Sequence, residues 1–134
     1  MSKLSCVLLI EDDPISSFIS VNSIKLFDIC NRIKVVSTGE AALSYLHELI
    51  NCNESLPELI FIDIQLPNMD GYDLHEKLKK EFFHDKSYST VVCILTNSNH
   101  PNDWDKFRQS GLHEYILKPL TNAKLDLIIK KYFN

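Results

Sequence analysis

Short apolar runs alternate with amphipathic stretches along the chain, and this alternation is the feature that most constrains its fold. Continuous apolar runs, such as residues 6–10 and 91–95, are typical of strands that are covered on both faces. The stretches between the runs carry apolar residues at helical spacing, as Leu74 and Leu78 do. We therefore predict five β/α units, with a parallel sheet covered by helices on both faces.

The predicted elements follow from where each pattern starts and stops. The predicted strands are residues 6–10, 33–36, 59–62, 91–95 and 115–117. The predicted helices are residues 14 to about 29, 39–50, 70 to about 83, 101–110 and 122–132. Asp13 before Pro14, and Asp70 before Gly71, are interpreted as helix N-caps rather than as site residues.

Length and composition limit the possible classes of protein. The 134 residues suit one domain, so we expect a single unit over 1–134 without an output domain. The net charge of −4 argues against direct binding to nucleic acid. The cysteines show no CxxC spacing, so neither a zinc site nor a redox site is suggested. No apolar run is long enough for a signal peptide or for membrane insertion. We expect a reduced, cytoplasmic protein.

Polar residues follow four of the predicted strands at their carboxyl ends, where open α/β sheets bind ligands. These strand-end residues are Glu11-Asp12-Asp13, Asp63, Thr96-Asn97 and Lys118-Pro119. Two carboxylates about 4 Å apart repel by roughly 4 kcal/mol at an effective dielectric near 20, so a cation should lie among them. Lys118 is one candidate, and Mg²⁺, which prefers oxygen ligands, is the other. Such a cluster suits an aspartate that accepts a phosphoryl group.

Four motifs in chain order strengthen this interpretation: LLIEDDP at 8–14, FIDIQLPNMDG at 61–71, ILTNS at 94–98 and YILKPL at 115–120. Together they resemble the receiver domain of two-component response regulators, over essentially the whole chain. The resemblance implies a flavodoxin-like fold, which is a doubly wound parallel sheet with strand order 2-1-3-4-5. It also implies a signalling protein that accepts phosphate, rather than an enzyme with its own substrate.

The resemblance implies a role for each residue at the strand ends. Asp63 would be the phosphoacceptor and a ligand of Mg²⁺. Asp12 would hold the ion directly and Glu11 through water, while Gln65 would offer its backbone carbonyl. Thr96 and Lys118 would each contact a phosphoryl oxygen.

Two further positions carry expectations from the family, and one departs from it. Tyr115 matches the aromatic switch position, although packing in a short strand is an equal alternative. The Lys118–Pro119 bond is expected to be cis. The residue after the threonine is usually very small in the family, but here it is Asn97, which could narrow access to the phosphoryl group or could donate a hydrogen bond to it.

The resemblance implies a phosphorelay role, with a sensor histidine kinase or a histidine phosphotransfer protein as donor and an unknown protein downstream. One alternative is a receiver-like scaffold that binds partners without phosphorylation, which only Asn97 favours. Another is a Mg²⁺-dependent hydrolase that passes through an aspartyl phosphate. Such enzymes usually carry a second aspartate two residues after the nucleophile, where this chain has Gln65.

Overall fold

The computed structural model describes residues 3–84, 89–97 and 101–133, in which strands and helices alternate. The strands are β1 (Leu4–Ile10), β2 (Cys30–Val36), β3 (Leu59–Asp63), β4 (Val91–Thr96) and β5 (Glu114–Leu117). The helices are α1 (Pro14–Phe27), α2 (Gly39–Asn51), α3 (Gly71–Glu81), α4 (Pro101–Ser110) and α5 (Asn122–Tyr132). The predicted β/α alternation is therefore confirmed.

Each neighbouring pair of strands is parallel, and the order across the sheet is β2-β1-β3-β4-β5. This order confirms the predicted flavodoxin-like fold. The chain moves outward from β1 to β2 and then places β3 on the other side of β1. The strand order thus reverses between β1 and β3, and the crevice at such a reversal is where these sheets bind ligands.

Two apolar layers cover the sheet, because successive side chains of a strand point to opposite faces. Leu9 and Phe61 belong to the layer that includes residues of α1 and α5, whereas Leu8 and Ile60 belong to the layer that includes residues of α2 and α3. All four are fully buried, which explains why the central strands lack polar alternation. None of the helices in the described ranges combines the length and the apolarity needed to cross a bilayer.

The predicted helix caps are observed at two strand-to-helix junctions. The Asp13 side chain accepts a hydrogen bond from the Ser16 N–H at 2.9 Å, and the Asp70 side chain accepts one from the Asp73 N–H at 2.9 Å. Each cap satisfies one of the N–H groups that the first helical turn leaves unpaired. Both helices therefore begin at the residue that follows the predicted cap.

The end of the first helix differs from its prediction. The helix ends at Phe27 rather than near residue 29, because Asp28 adopts the left-handed conformation, with φ of 57°, and its N–H bonds the carbonyls of Ile24 and Lys25. The following strand can then begin at Cys30 rather than at residue 33. The apolar pattern did not reveal this change, since a left-handed cap is usually signalled by glycine.

Candidate functional site

The carboxyl ends of four strands meet around the crevice beside β1 and β3. Glu11 follows β1, Asp63 is the last residue of β3, Thr96 is the last residue of β4, and Lys118 follows β5. The parallel register sets Asp63 beside Leu95, one residue before the end of the neighbouring strand. The sheet therefore gathers side chains that lie far apart in the sequence, as the strand-end pattern predicts.

Glu11, Asp63 and Lys118 form a buried ion triad. The Lys118 Nζ lies 2.5 Å from Glu11 Oε1 and 3.6 Å from Asp63 Oδ1. The exposed fractions of these side chains are 9% for Lys118, 0% for Glu11 and 10% for Asp63. Buried charges are costly unless they are paired, so one ammonium between two carboxylates offsets only part of their charge.

Two residues of the following turn also bind the Glu11 carboxylate. The Ser16 hydroxyl donates to Oε1 at 2.7 Å, and the Asp13 N–H donates to Oε2 at 3.3 Å. Sequence reasoning did not identify Ser16. The available signal was a serine in the first turn of the helix that follows the acidic strand end, where a short side chain can reach back to that end.

The shared ammonium leaves the two carboxyls with different proton affinities. The pKa of Asp63 is raised to about 7, mainly by burial. Contact with the Glu11 carboxylate also raises it, and the Lys118 charge lowers it by less. Burial also acts to raise the pKa of Glu11, but hydrogen bonds with Asp63, Lys118 and Ser16 hold it below its ordinary value. The negative charge therefore resides mainly on Glu11, and Asp63 is the carboxyl that lacks a sufficient cation.

The loop after β3 holds Asp63 at the base of the crevice. The Gln65 N–H donates to Asp63 Oδ1 at 3.3 Å, and the Gly71 N–H donates to the Ile64 carbonyl at 2.8 Å. A Cβ on Gly71 would lie 2.8 Å from the Asp63 carbonyl oxygen, closer than real Cβ atoms approach. Glycine at this position lets α3 start directly against the strand end, which keeps the loop short and the Asp63 carboxyl in place.

The residues at the mouth of the crevice fit a partly hydrated Mg²⁺. Asp12 is exposed and, with Asp63 and Gln65, lines a cavity of about 610 Å³. In the described part of the chain no three or more His, Cys, Asp or Glu side chains form a ready-made metal cage. Mg²⁺ does not need one, because it keeps several waters and takes one or two carboxylates. Asp12, Asp63 and the Gln65 carbonyl could therefore hold the ion, with Glu11 behind them.

Thr96 and Tyr115 connect this site to the far edge of the sheet. Thr96 is buried, and its carbonyl accepts a hydrogen bond from the Lys118 N–H at 2.8 Å. Tyr115 is half-buried between two residues of α4: Trp104 stacks on it at 4.7 Å between ring centroids, and Phe107 meets it edge-on at 5.8 Å. The aromatic position that was predicted as a switch is thus packed against α4.

The remaining site predictions concern the rim of the crevice. The Lys118–Pro119 peptide bond is cis. Asn97 is exposed and lines both the cavity at Asp63 and a neighbouring cavity of about 380 Å³. Ser98, the last residue of the ILTNS motif, lies outside the described residues.

Comparison with known proteins agrees with this fold. Residues 7–130 match the sequence model of the response regulator receiver domain. The chain is 26% identical over 125 residues to the probable methanogenesis regulatory protein FilR2 of Methanothrix harundinacea, covering 93% of this chain and 79% of that protein. It is 31% identical over 132 residues to hybrid signal transduction histidine kinase L of Dictyostelium discoideum, covering 96% of this chain but only 7% of that protein.

Among solved structures, the two-component response regulator from Cytophaga hutchinsonii has a TM-score of 0.87, with 33% identity and 99% of each chain covered. A parallel sheet in the order 2-1-3-4-5, with acidic residues and a lysine at its carboxyl edge, is the arrangement expected of a signalling receiver domain. The chain belongs to the response regulator receiver domain family of two-component systems.

Proposed function

We propose that this receiver domain accepts a phosphoryl group on Asp63 from a phosphohistidine of a sensor histidine kinase or of a histidine phosphotransfer protein. The observation that carries the proposal is the position of Lys118, which bonds Glu11 at 2.5 Å while its Nζ stays 3.6 Å from Asp63 Oδ1. A phosphoryl group on Asp63 would add charge and three acceptor oxygens within reach of this ammonium.

In the transfer, an oxygen of the Asp63 carboxylate attacks the phosphorus. The bond between phosphorus and the histidine nitrogen breaks, and its electron pair returns to the imidazole. Mg²⁺, when held by Asp12, Asp63 and the Gln65 carbonyl, supplies positive charge to the transferring oxygens. Lys118 pairs with one phosphoryl oxygen, and the Thr96 hydroxyl donates to another.

The donor would dock on α1, beside the crevice. Asp63 is only 7% exposed, so a histidine carried by another protein must enter through the rim of the crevice. Ile15 and Phe18 on α1 are 71% and 67% exposed, and Ile15 and Ile19 line one cavity together with Lys118. An apolar helix face that continues into the acceptor site suits a protein donor, because docking there would bring its histidine to Asp63.

Phosphorylation would switch the surface formed by α4, β5 and α5. Moving an equilibrium from 1:99 to 99:1 takes about 5.5 kcal/mol, and charge-assisted hydrogen bonds from Thr96 and Lys118 supply about 1.5–3 kcal/mol each. Thr96 is the last residue of β4, and Lys118 follows β5, the strand that carries Tyr115. The Tyr115 ring packs on Trp104. A shift of Thr96 and Lys118 toward the phosphoryl group would therefore repack these rings and change the surface offered to a downstream protein.

The test is incubation with Mg²⁺ and a small acyl phosphate, followed by intact-mass measurement and by fluorescence of Trp104, the single tryptophan of the chain. We expect one phosphate adduct on the wild type, none on Asp63→Asn, and a wild-type level on Asp73→Asn, which alters an exposed aspartate of α3. No adduct on the wild type, or an undiminished one on Asp63→Asn, would contradict the proposal.

A second assay separates the proposal from the two alternatives. Partner binding that is unchanged by Asp63→Asn and by the phosphodonor would favour a phosphorylation-independent scaffold. Steady turnover of a phosphate ester would favour a hydrolase. The proposed function predicts stoichiometric uptake of phosphate and partner binding that depends on it.

A further inference from the structure

Ser16 contacts the acceptor site through an oxygen that it shares with Lys118. The Lys118 Nζ and the Ser16 hydroxyl both donate to Glu11 Oε1, at 2.5 and 2.7 Å. Among the described residues, Oε2 accepts a longer bond, from the Asp13 N–H at 3.3 Å. The two strong donors of this carboxylate therefore differ in kind, because one is a long charged side chain and the other is a short neutral one.

The backbone of Ser16 is held in place by the start of α1. The Ser16 N–H is bonded to the Asp13 side chain at 2.9 Å, and the Ser17 N–H is bonded to the Asp13 carbonyl at 2.9 Å. These capping bonds involve neither Lys118 nor Asp63. Movement of the lysine therefore leaves the Ser16 backbone in place, with its hydroxyl within reach of Glu11.

Lys118 has to move for the proposed function, on which this inference rests. Its ammonium is bonded to Glu11, and a phosphoryl group on Asp63 would draw it away. Glu11 has a side chain with 0% exposure, so water cannot replace the lost donor. A buried carboxylate that loses its partner is costly, and this cost opposes the transfer of the lysine.

We propose that Ser16 is a positioning residue that holds the Glu11 carboxylate while Lys118 transfers from Glu11 to the phosphoryl group on Asp63. With the hydroxyl present, Oε1 keeps a strong donor after the lysine leaves. Without it, Glu11 depends on Lys118 and retains it. The loss of Ser16 therefore slows the formation of the aspartyl phosphate and shortens its lifetime.

The test compares Ser16→Ala with a matched control in the same helical turn. Ser17→Ala makes the same change at a half-buried residue whose hydroxyl has no hydrogen bond to residues 3–84, 89–97 or 101–133. Phosphorylation by Mg²⁺ and a small acyl phosphate is followed per folded molecule, well below the unfolding temperature, so that a merely stabilising hydroxyl would leave the rates unchanged. A small donor also removes any effect of docking on α1.

We expect Ser16→Ala to lower the phosphorylation rate about tenfold, the worth of one hydrogen bond to a charged group. Ser16→Thr, which keeps the hydroxyl, restores the rate, and Ser16→Cys, with a weaker donor, gives an intermediate rate. The lifetime of the phosphorylated form follows the same order. Ser17→Ala matches the wild type.

A double-mutant cycle gives a second measurement that does not depend on phosphorylation. Ser16→Ala should cost more unfolding free energy in a Lys118→Ala background than in the wild type, because each donor compensates for the loss of the other at Oε1. Equal rates for Ser16→Ala and Ser17→Ala, or a cycle without coupling, overturn the role of Ser16. Absence of any adduct on the wild type overturns the proposed function, and this role with it.

Discussion

Strand β1 has a hydrogen-bonded glutamate near each of its ends, and the two are satisfied in different ways. Near its amino end, Glu58 accepts hydrogen bonds from the Ser5 N–H at 2.8 Å, the Ser5 hydroxyl at 2.8 Å and the Cys6 N–H at 3.1 Å. At its carboxyl end, Glu11 depends on the Lys118 ammonium, which also faces Asp63. Among the residues that the structure describes, the first carboxylate has neutral donors alone, whereas the second also binds a cation that it shares with Asp63.

The two ends of β1 also differ in the ionisation of their carboxyl groups. Burial opposes ionisation of Glu58, but its hydrogen bonds from Ser5 and Cys6 hold its pKa below the ordinary value. At the other end the cation is insufficient for two carboxyls, and the pKa of Asp63 is raised to about 7. We therefore expect that a bound cation or a redistribution of charge changes the interactions around Asp63 and leaves those around Glu58 unaltered.

The largest expected effect comes from removing the shared cation. Lys118→Ala should slow phosphorylation of Asp63 about hundredfold or more, as the loss of an electrostatic group at a developing charge does. The rate is measured by intact mass against donor concentration. Lys131→Ala is the control, because Lys131 also pairs with a glutamate, Glu114, at 2.8 Å but is far more exposed. Equal rates in Lys118→Ala and Lys131→Ala would contradict a special role of the buried, shared cation.

The unfolding free energy of Lys118→Ala gives a second prediction. Breaking a buried ion pair costs about 3–5 kcal/mol when the remaining charge stays unpaired. The Lys118 charge lowers the pKa of Asp63, so in the variant that pKa lies above about 7. Glu11 and Asp63 can then share a proton, and the loss in unfolding free energy should shrink as the pH falls toward about 7. A loss that is independent of pH would contradict this account.

The next expected effect concerns a buried histidine of α3, which is satisfied neither as Glu58 is nor as Glu11 is. His75 on α3 is 3% exposed, and its Nδ1 has no hydrogen-bond partner among the described residues. The pKa of His75 is lowered to about 4, mainly by burial. The Lys79 charge also lowers it, and Glu76 raises it by less. The neutral imidazole is therefore the form that the fold stabilises.

Because the folded-state pKa lies below the ordinary value of 6.5, this stability is complete above pH 6.5 and is lost as the pH falls toward 4. We expect about 3 kcal/mol less unfolding free energy at pH 4 than at pH 7 from this residue. The measurement is denaturant unfolding across that range, with His75→Leu to remove the contribution. Parallel pH profiles for wild type and variant would show that His75 does not titrate in this way.

The sequence predicted the strand-end residues well, because they depend on local rules. An apolar run that stops at Asp63 or Lys118 marks a strand end whatever the rest of the chain does, and parallel strands bring their ends together. The contact of Ser16 with Glu11 was missed because it depends on the angle at which α1 leaves the loop. The stacking of Trp104 on Tyr115 was missed for a related reason, since the rotation of α4 over β5 is set by tertiary packing.

A smaller effect is expected at the amino end of β1. Glu58→Gln replaces a carboxylate that accepts three hydrogen bonds, so unfolding free energy should fall by about 1–3 kcal/mol. Glu54→Gln, at an exposed glutamate of the preceding loop, is the control and should have little effect. The phosphorylation rate per folded molecule should stay at the wild-type value in both. A slower rate in Glu58→Gln would mean that the two ends of β1 are coupled.

The smallest effect is expected at an exposed ion pair on α4. Arg108 and Asp105 on α4 form an ion pair at 2.9 Å, with both side chains 70% exposed. Such a pair is screened by solvent and contributes roughly 0–0.5 kcal/mol, so Arg108→Ala should change neither unfolding free energy nor phosphorylation beyond error. This ion pair and the Lys118–Glu11 pair have similar distances, but they differ in burial and in the sharing of Lys118 with Asp63. A loss as large as that in Lys118→Ala would mean that distance, rather than burial and the sharing of one cation, determines what a charge contributes here.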